Sequence, residues 1–413
     1  MAYRIVQYCP HFKAEAMQAI SPLVLHSVDA GGKAVAIATS NTRRISARDL
    51  VQTAELARLR QRSEWRGVAL IVHAWAVILG SITLVAIFPN PIAWILAVLL
   101  IGSRQLGLAI LMHDGAHGCL SANSARNMAL SQWLCAYPIF ADTLAYRRYH
   151  LAHHAHTQQD EDPDLPLSAP FPITRASYRR KFWRDLSGQT GYQQRKAQFL
   201  NALGDPSWPF VQRLRHFEER LGPQFAANGV LFAVLALAGV WWAYPLLWVF
   251  PLLTWMMVIT RIRNIAEHAV VPDSNDPLRN TRTTKARLIE RVFIAPYFVN
   301  FHLEHHLLMY LPCYSLPKLN AILMRGPHAD RMEVRRGYLS VLRMATAKPD
   351  AQDRRAITVS GARRLHAASR IGDDQASAGF LVGCLRRLPR RACCGSKSAL
   401  VLHKSLSEWL VWV

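Results

Sequence analysis

Three histidine clusters carry the chemistry of this chain. His113-Asp-Gly-Ala-His117 places two imidazoles four residues apart. His150-Leu-Ala-His153-His154 and His302-Leu-Glu-His305-His306 each place three at positions i, i+3 and i+4. On a helix these offsets share one face, so each cluster turns its rings toward a common point. A ninth candidate, His268, ends the segment Asn264-Ile-Ala-Glu-His268. One histidine at a membrane edge is usually a hydrogen-bonded polar residue; its partners on the same side make His268 a ligand candidate. Nine neutral imidazoles exceed what one tetrahedral zinc takes and suit two metal ions with positions left open. Two irons are the natural fit. Asp114, Glu267 and Glu304 adjoin ligand candidates, and Asp160, Asp162 and Asp164 follow the second cluster. Each is expected to accept a ring's second N–H and so fix tautomer and orientation. Direct carboxylate ligation stays open. His156 is expected to hydrogen-bond around the metals rather than bind them.

The elements that must position these rings follow from segregated composition. Of 413 residues, 51% are hydrophobic, yet Lys and Arg number 49 against 27 Asp and Glu. No charged residue occurs from Gly67 to Ser103, and none from Gly222 to Thr260. Each stretch is nearly twice the roughly 20 residues that cross a hydrocarbon core, so each reads as two helices. The first breaks at Phe88-Pro89-Asn90-Pro91 and the second at Tyr244-Pro245; Trp241 and Trp242 suit an interfacial aromatic belt. Spans are predicted at about 67–88, 92–112, 225–243 and 246–263. The fold class expected is an all-α integral membrane protein: four transmembrane helices in two hairpins, and a cytoplasmic helical cap carrying the histidine clusters.

With two tight hairpins, both chain ends and the 113–224 segment share one side, where the basic residues gather; the positive-inside rule makes that side cytoplasmic. The net charge of +22 is accounted for by span flanks and anionic headgroups rather than nucleic acid. Seven scattered cysteines without a C-x-x-C pair read as reduced, non-ligating thiols. No charged head followed by an apolar run marks Met1–Ser40 as a cleavable signal, so insertion is expected to use the first span. Residues 1–45 read as a poorly ordered lead-in and 46–345 as the membrane domain. Residues 346–413, with recurring Arg pairs, read as a low-complexity basic extension. A helix from Ser46 to near Glu64 is expected, with Ser46 as N-cap. Residues 128–146 suit an interfacial or shallowly re-entrant stretch. The basic, aromatic 175–220 segment suits headgroups or an acidic electron donor.

At superfamily level, the sequences HDGAH, HLAHH and HLEHH, their order, and the hairpins between them resemble the membrane fatty acid desaturases over roughly residues 45–345. In acyl-CoA desaturases of that superfamily, a histidine on the fourth span and an asparagine one turn earlier, acting through water, complete a di-iron site. The resemblance assigns those places to His268 and Asn264. The acidic Asp160–Asp164 run resembles bacterial, sphingolipid and carotenoid-modifying members. The first cluster has three intervening residues where many acyl-CoA desaturases have four, which points to the acyl-lipid, sphingolipid or related bacterial branches. The resemblance implies O2-dependent introduction of a double bond into an acyl chain or related lipid. Electrons would come from a separate ferredoxin or cytochrome reduced by an NAD(P)H reductase. A hydroxylase or ketolase would use the same metals. A membrane metal-binding or transport protein is a more distant alternative, for which His73 is the mid-span ionisable candidate.

Overall fold

A computed structural model describes residues 45–347. The lead-in and the basic extension therefore lie outside the described residues, apart from Ile45, Thr346 and Ala347. The described chain is mostly helical. Four helices are long and apolar enough to cross a membrane: Glu64–Ile87, Pro91–Ala116, Phe210–Leu237 and Tyr244–His268.

Local sequence explains their ends. Asn90 caps the second helix, its side chain accepting from Ala93 N–H at 3.0 Å, and Pro91 occupies the first turn, where its missing N–H costs nothing. The first two helices pack along one another, and the second is the most enclosed of the four. It runs past the predicted end at 112 to Ala116, so His113 lies in its last turn and His117 caps it. The third helix starts at Phe210, not 225, and carries Arg213 to Arg220 as a charged first half that continues the helix beyond the apolar stretch. The fourth is irregular. Tyr244–Val249 forms a π-helical turn, Phe250–Leu253 a short helix, and the chain kinks at Thr254 before Trp255–His268. Pro245 and Pro251 remove two helical donors in that region.

Two expectations need correction. Ser46 does cap a helix, but the predicted 46–64 helix is two short ones, Ala47–Leu50 and Thr53–Leu59. Val51, β-branched and buried, is extended between them (φ −145°, ψ 139°). The fold is also not purely helical. Thr283–Lys285 and Val334–Arg336 form a two-stranded parallel sheet, with Thr283 opposite Val334.

Between the second and third long helices lie Ser124–Ala129, a π-helical turn Leu130–Ala136, Thr143–His156, Arg175–Leu186 and Gln189–Ala202. The 175–202 part of that region is thus a helix pair turned by Gly188 (φ +80°), where a left-handed backbone favours glycine. This pair is tied to the fourth span. Arg261 donates to both oxygens of Asp185, which is fully buried.

Candidate metal centre

The second cluster sits on Thr143–His156, started by Asp142, whose carboxylate accepts from Ala145 N–H at 2.8 Å. The expectation that each cluster turns its rings toward one common point is corrected: His150 and His154 go to one point and His153 to another, and the third cluster splits likewise, His302 and His306 apart from His305. The third cluster occupies the short helix His302–Leu307, entered through Tyr297 and Phe298, both at positive φ. The first cluster closes the second long helix. Its glycine is required there: a Cβ on Gly115 would collide with the Ser131 side chain.

All nine histidines converge, in two groups. His113, His117, His150, His154 and His305 form one; His153, His268, His302 and His306 form the other. Within each group the available ligand nitrogens lie within 4.8 Å of one another. The groups adjoin, with the rings of His154 and His306 stacked at 4.3 Å. Distances between Nε2 atoms are 2.9 Å for His113–His305, His150–His154 and His154–His305. They are 2.8 Å for His268–His302 and 3.0 Å for His302–His306. A neutral imidazole has one donor and one acceptor nitrogen. Converging Nε2 lone pairs cannot all be satisfied by each other, and Nε2 of His117 and of His153 has no hydrogen-bond partner at all. Such a cage could hold a metal ion in each group, and an all-imidazole donor set is one that iron accepts, among other transition metals.

Protonation states agree for the rings outside the spans. Burial, then the charge neighbouring histidines would carry, pushes His117, His150, His154, His302, His305 and His306 well below the ordinary imidazole value. They are neutral at pH 7, as ligands must be. His153 is the exception. Burial opposes its charge, yet Asp162, with help from Asp164, raises it to about 9.

The surrounding groups fall out unevenly. Asp162 Oδ1 lies 2.7 Å from His153 Nδ1 and makes that ring's orienting bond. Asp164 stands 3.7 Å from the same nitrogen and accepts from the Tyr149 hydroxyl. Glu267 lies 3.5 Å from His302 Nδ1 and 3.2 Å from Arg263. Asp114 is 3.8 Å from His113 Nδ1, beyond hydrogen-bond reach, and accepts instead from Cys313 N–H at 2.8 Å. Glu304 orients no ring: it is fully buried and accepts from Thr283 and Asn320, anchoring its own helix to the sheet. His156 belongs to neither group, and Asp160 is exposed. Asn264 accepts from Arg263 at 2.7 Å and lines a pocket walled by Phe171, Lys181 and Arg261 and by none of the nine histidines.

Sequence reading missed three contributors. Thr157 Oγ1 donates to His153 O and accepts from His306 Nδ1 at 3.2 Å. Arg263 reaches the cage region from the fourth span. Arg282, fully buried, bonds the carbonyls of Ala266, Ala269 and Val270 and the Glu333 carboxylate, so it clamps the end of the helix that presents His268. A threonine and two arginines among many give no signal until the fold places them. Beside the cage lies a cavity of about 130 Å³, lined by His113, His302, His305, Tyr149 and apolar side chains of the second and fourth spans.

These features define a class: a helical chain with four membrane-length apolar helices and a largely buried histidine cage able to hold metal ions. The chain belongs to the fatty acid desaturase family, whose profile matches residues 89–337. It is also similar to the dihydrorhizobitoxine desaturase of Bradyrhizobium elkanii, 29% identical over 283 residues that cover 67% of this chain and 80% of the relative. Family membership makes the protein a desaturase-like oxidoreductase.

Proposed function

We propose that this protein is an O2-dependent di-iron desaturase of an acyl chain or related lipid. The observation that carries the reading is the convergence of nine histidine nitrogens into two adjoining groups beside a mostly apolar cavity. His113, His117, His150, His154 and His305 would hold one iron; His153, His268, His302 and His306 the other. Together the two irons supply O2 activation and the power to remove hydrogen from an unactivated C–H. The balanced reaction takes –CH2–CH2–, O2, two electrons and two protons to –CH=CH– and two waters. The chain's own residues do the rest. Ile110, Met112, Ile139 and Leu316 exclude water beside the cage, and Asp162 and Thr157 hold ring orientation.

The protein is inserted by two hairpins, with the cage on the cytoplasmic side; in a bacterial cell the membrane would be the inner, plasma membrane. Its electrons come from a separate ferredoxin or cytochrome served by an NAD(P)H reductase. Exposed Trp183 beside Arg179, Arg180 and Arg184 offers an acidic donor a basic face. The test is lipid and metabolite mass spectrometry of a host lacking such activity, expressing wild type or His153→Ala. A product two hydrogens lighter, present only with wild type, supports desaturation. Gain of oxygen makes the enzyme a hydroxylase or ketolase instead, and identical profiles with equal protein levels defeat the oxygenase reading.

A further inference from the structure

The cavity beside the cage carries a charge that an alkyl chain does not need. From His113, Ile110, Ala109 and Leu106 line it down the second span, about 10 Å at 1.5 Å per residue. Arg195 lines the same cavity from the helix Gln189–Ala202. That helix lies against the middle of the fourth span: a Cβ on Gly191, one turn before Arg195, would collide with the Leu253 backbone. The guanidinium thus lines a mostly apolar cavity beside the fourth span, where a buried charge is costly unless it is paired.

Its partners are few. Nη1 donates to Gln198 Oε1 at 2.7 Å and to Phe140 O at 3.3 Å. Phe140 O already accepts a shorter bond, 2.7 Å, from Gln198 Nε2, so the arginine is not needed to satisfy it. The Nε–Nη2 edge, the fork that takes a carboxylate through two parallel bonds, has no partner among the described residues. Arg261, Arg263 and Arg282 each face a carboxylate: Asp185, Glu267 and Glu333. Arg104, buried without one, bonds Val292 O and Ser103 and lies over the Tyr297 ring. Arg195 has no such compensation. Burial pulls its guanidinium down to about 10, still protonated at neutral pH. An apolar groove of Phe140, Tyr192, Phe199 and Leu252 meets the cavity at this residue and gives a route to it.

We propose that Arg195 binds the carboxylate of the substrate, so that the enzyme acts on a free acid rather than an ester or thioester. The acid group docks on the open Nε–Nη2 edge, and the chain lies along Leu106, Ala109 and Ile110 toward the cage. The position of the new double bond is then set by its distance from the carboxylate. This inference rests on the desaturase reading of the cage.

The test is calorimetric binding of butanoate, hexanoate and octanoate, each against its primary amide, to the full chain purified in detergent, with iron content measured on the same samples. A charge-assisted pair worth roughly 1.5–3 kcal/mol predicts that wild type binds at least one acid on the order of 10- to 100-fold more tightly than its amide. Arg195→Gln should abolish that preference and Arg195→Lys should keep part of it, with unchanged iron content and melting temperature confirming that both variants fold. Equal binding of acid and amide by wild type, no binding of any acid, or an acid preference that survives in a folded Arg195→Gln protein overturns the proposal. An iron-free wild type that still shows the Arg195-dependent preference would instead sink the di-iron reading and leave the acid site standing.

Discussion

The two histidine groups differ in how they are held. The four-histidine group is built against polar support: Asp162 on His153, Thr157 on His306, Glu267 near His302, and Arg282 clamping the helix end beside His268. In the five-histidine group, Asp114 is the nearest carboxylate and stands out of hydrogen-bond reach of His113. Tyr146 stacks on His150 at 5.0 Å, and His113 and His305 open onto the cavity, which the smaller group reaches through His302 alone. One centre is thus held by fixed charges and hydrogen bonds, the other by packing and mutual ring contacts. Orientation by a carboxylate raises ligand basicity and holds a metal tightly. A packed ring set next to a cavity leaves room for reactants.

If the two groups hold iron as proposed, the largest expected effect comes from removing a histidine of the smaller group. His153→Ala deletes one of four nitrogens and strands Asp162 in the interior, so iron should fall toward one per chain with activity down more than about 100-fold. His150→Ala removes one of five and should retain more iron. Elemental analysis of the two variants decides, and equal losses would erase the distinction between the groups. Next comes Asp162→Asn, expected to cost about 10- to 100-fold in activity or iron affinity. Asp114→Asn should cost markedly less, because its carboxylate serves the Cys313 N–H.

Proton release sharpens the comparison further. His153 is held up to about 9, so below that pH the metal-free chain carries a proton there that metal must displace. The members of the five-histidine group outside the spans are pushed below the ordinary value and have none to give. Metal binding at pH 7.5 should therefore release about one proton from the smaller group, read from heats in buffers of different ionisation enthalpy. The opposite sign governs acidification. Rings with lowered folded values stay neutral while the unfolded chain protonates from about 6.5 downward. The stability they contribute is fully present above that pH and is lost as pH falls below it, visible as earlier melting and iron loss. The smallest effect is Thr157→Val, which leaves His306 without its Nδ1 acceptor and should lower melting by an amount matching about 1 kcal/mol. Activity should fall only a few-fold.

Much was legible in the chain itself. Charge-free stretches longer than one span, broken by Pro89 and Pro245, fixed the number of apolar helices, because lipid tolerates neither charge nor unsatisfied backbone. The i, i+3, i+4 spacing of His150 to His154 and of His302 to His306 named the rings, because helical geometry alone puts them on one face. Helix ends were less legible. Residues 210 to 220 are charged yet helical, and the Val51 break depends on burial of Val51 in the core. What only the tertiary structure decided is partnership. Asp114, Glu304 and Asp162 all stand close to ligands in sequence, but only Asp162 reaches a ring, because a turn after the helix brings it back to His153. Asn264 lies one turn before His268 and lines a different pocket. Thr157, Arg282 and Arg195 acquire their roles from residues 149, 51 and 55 positions away, where spacing along the chain carries no information.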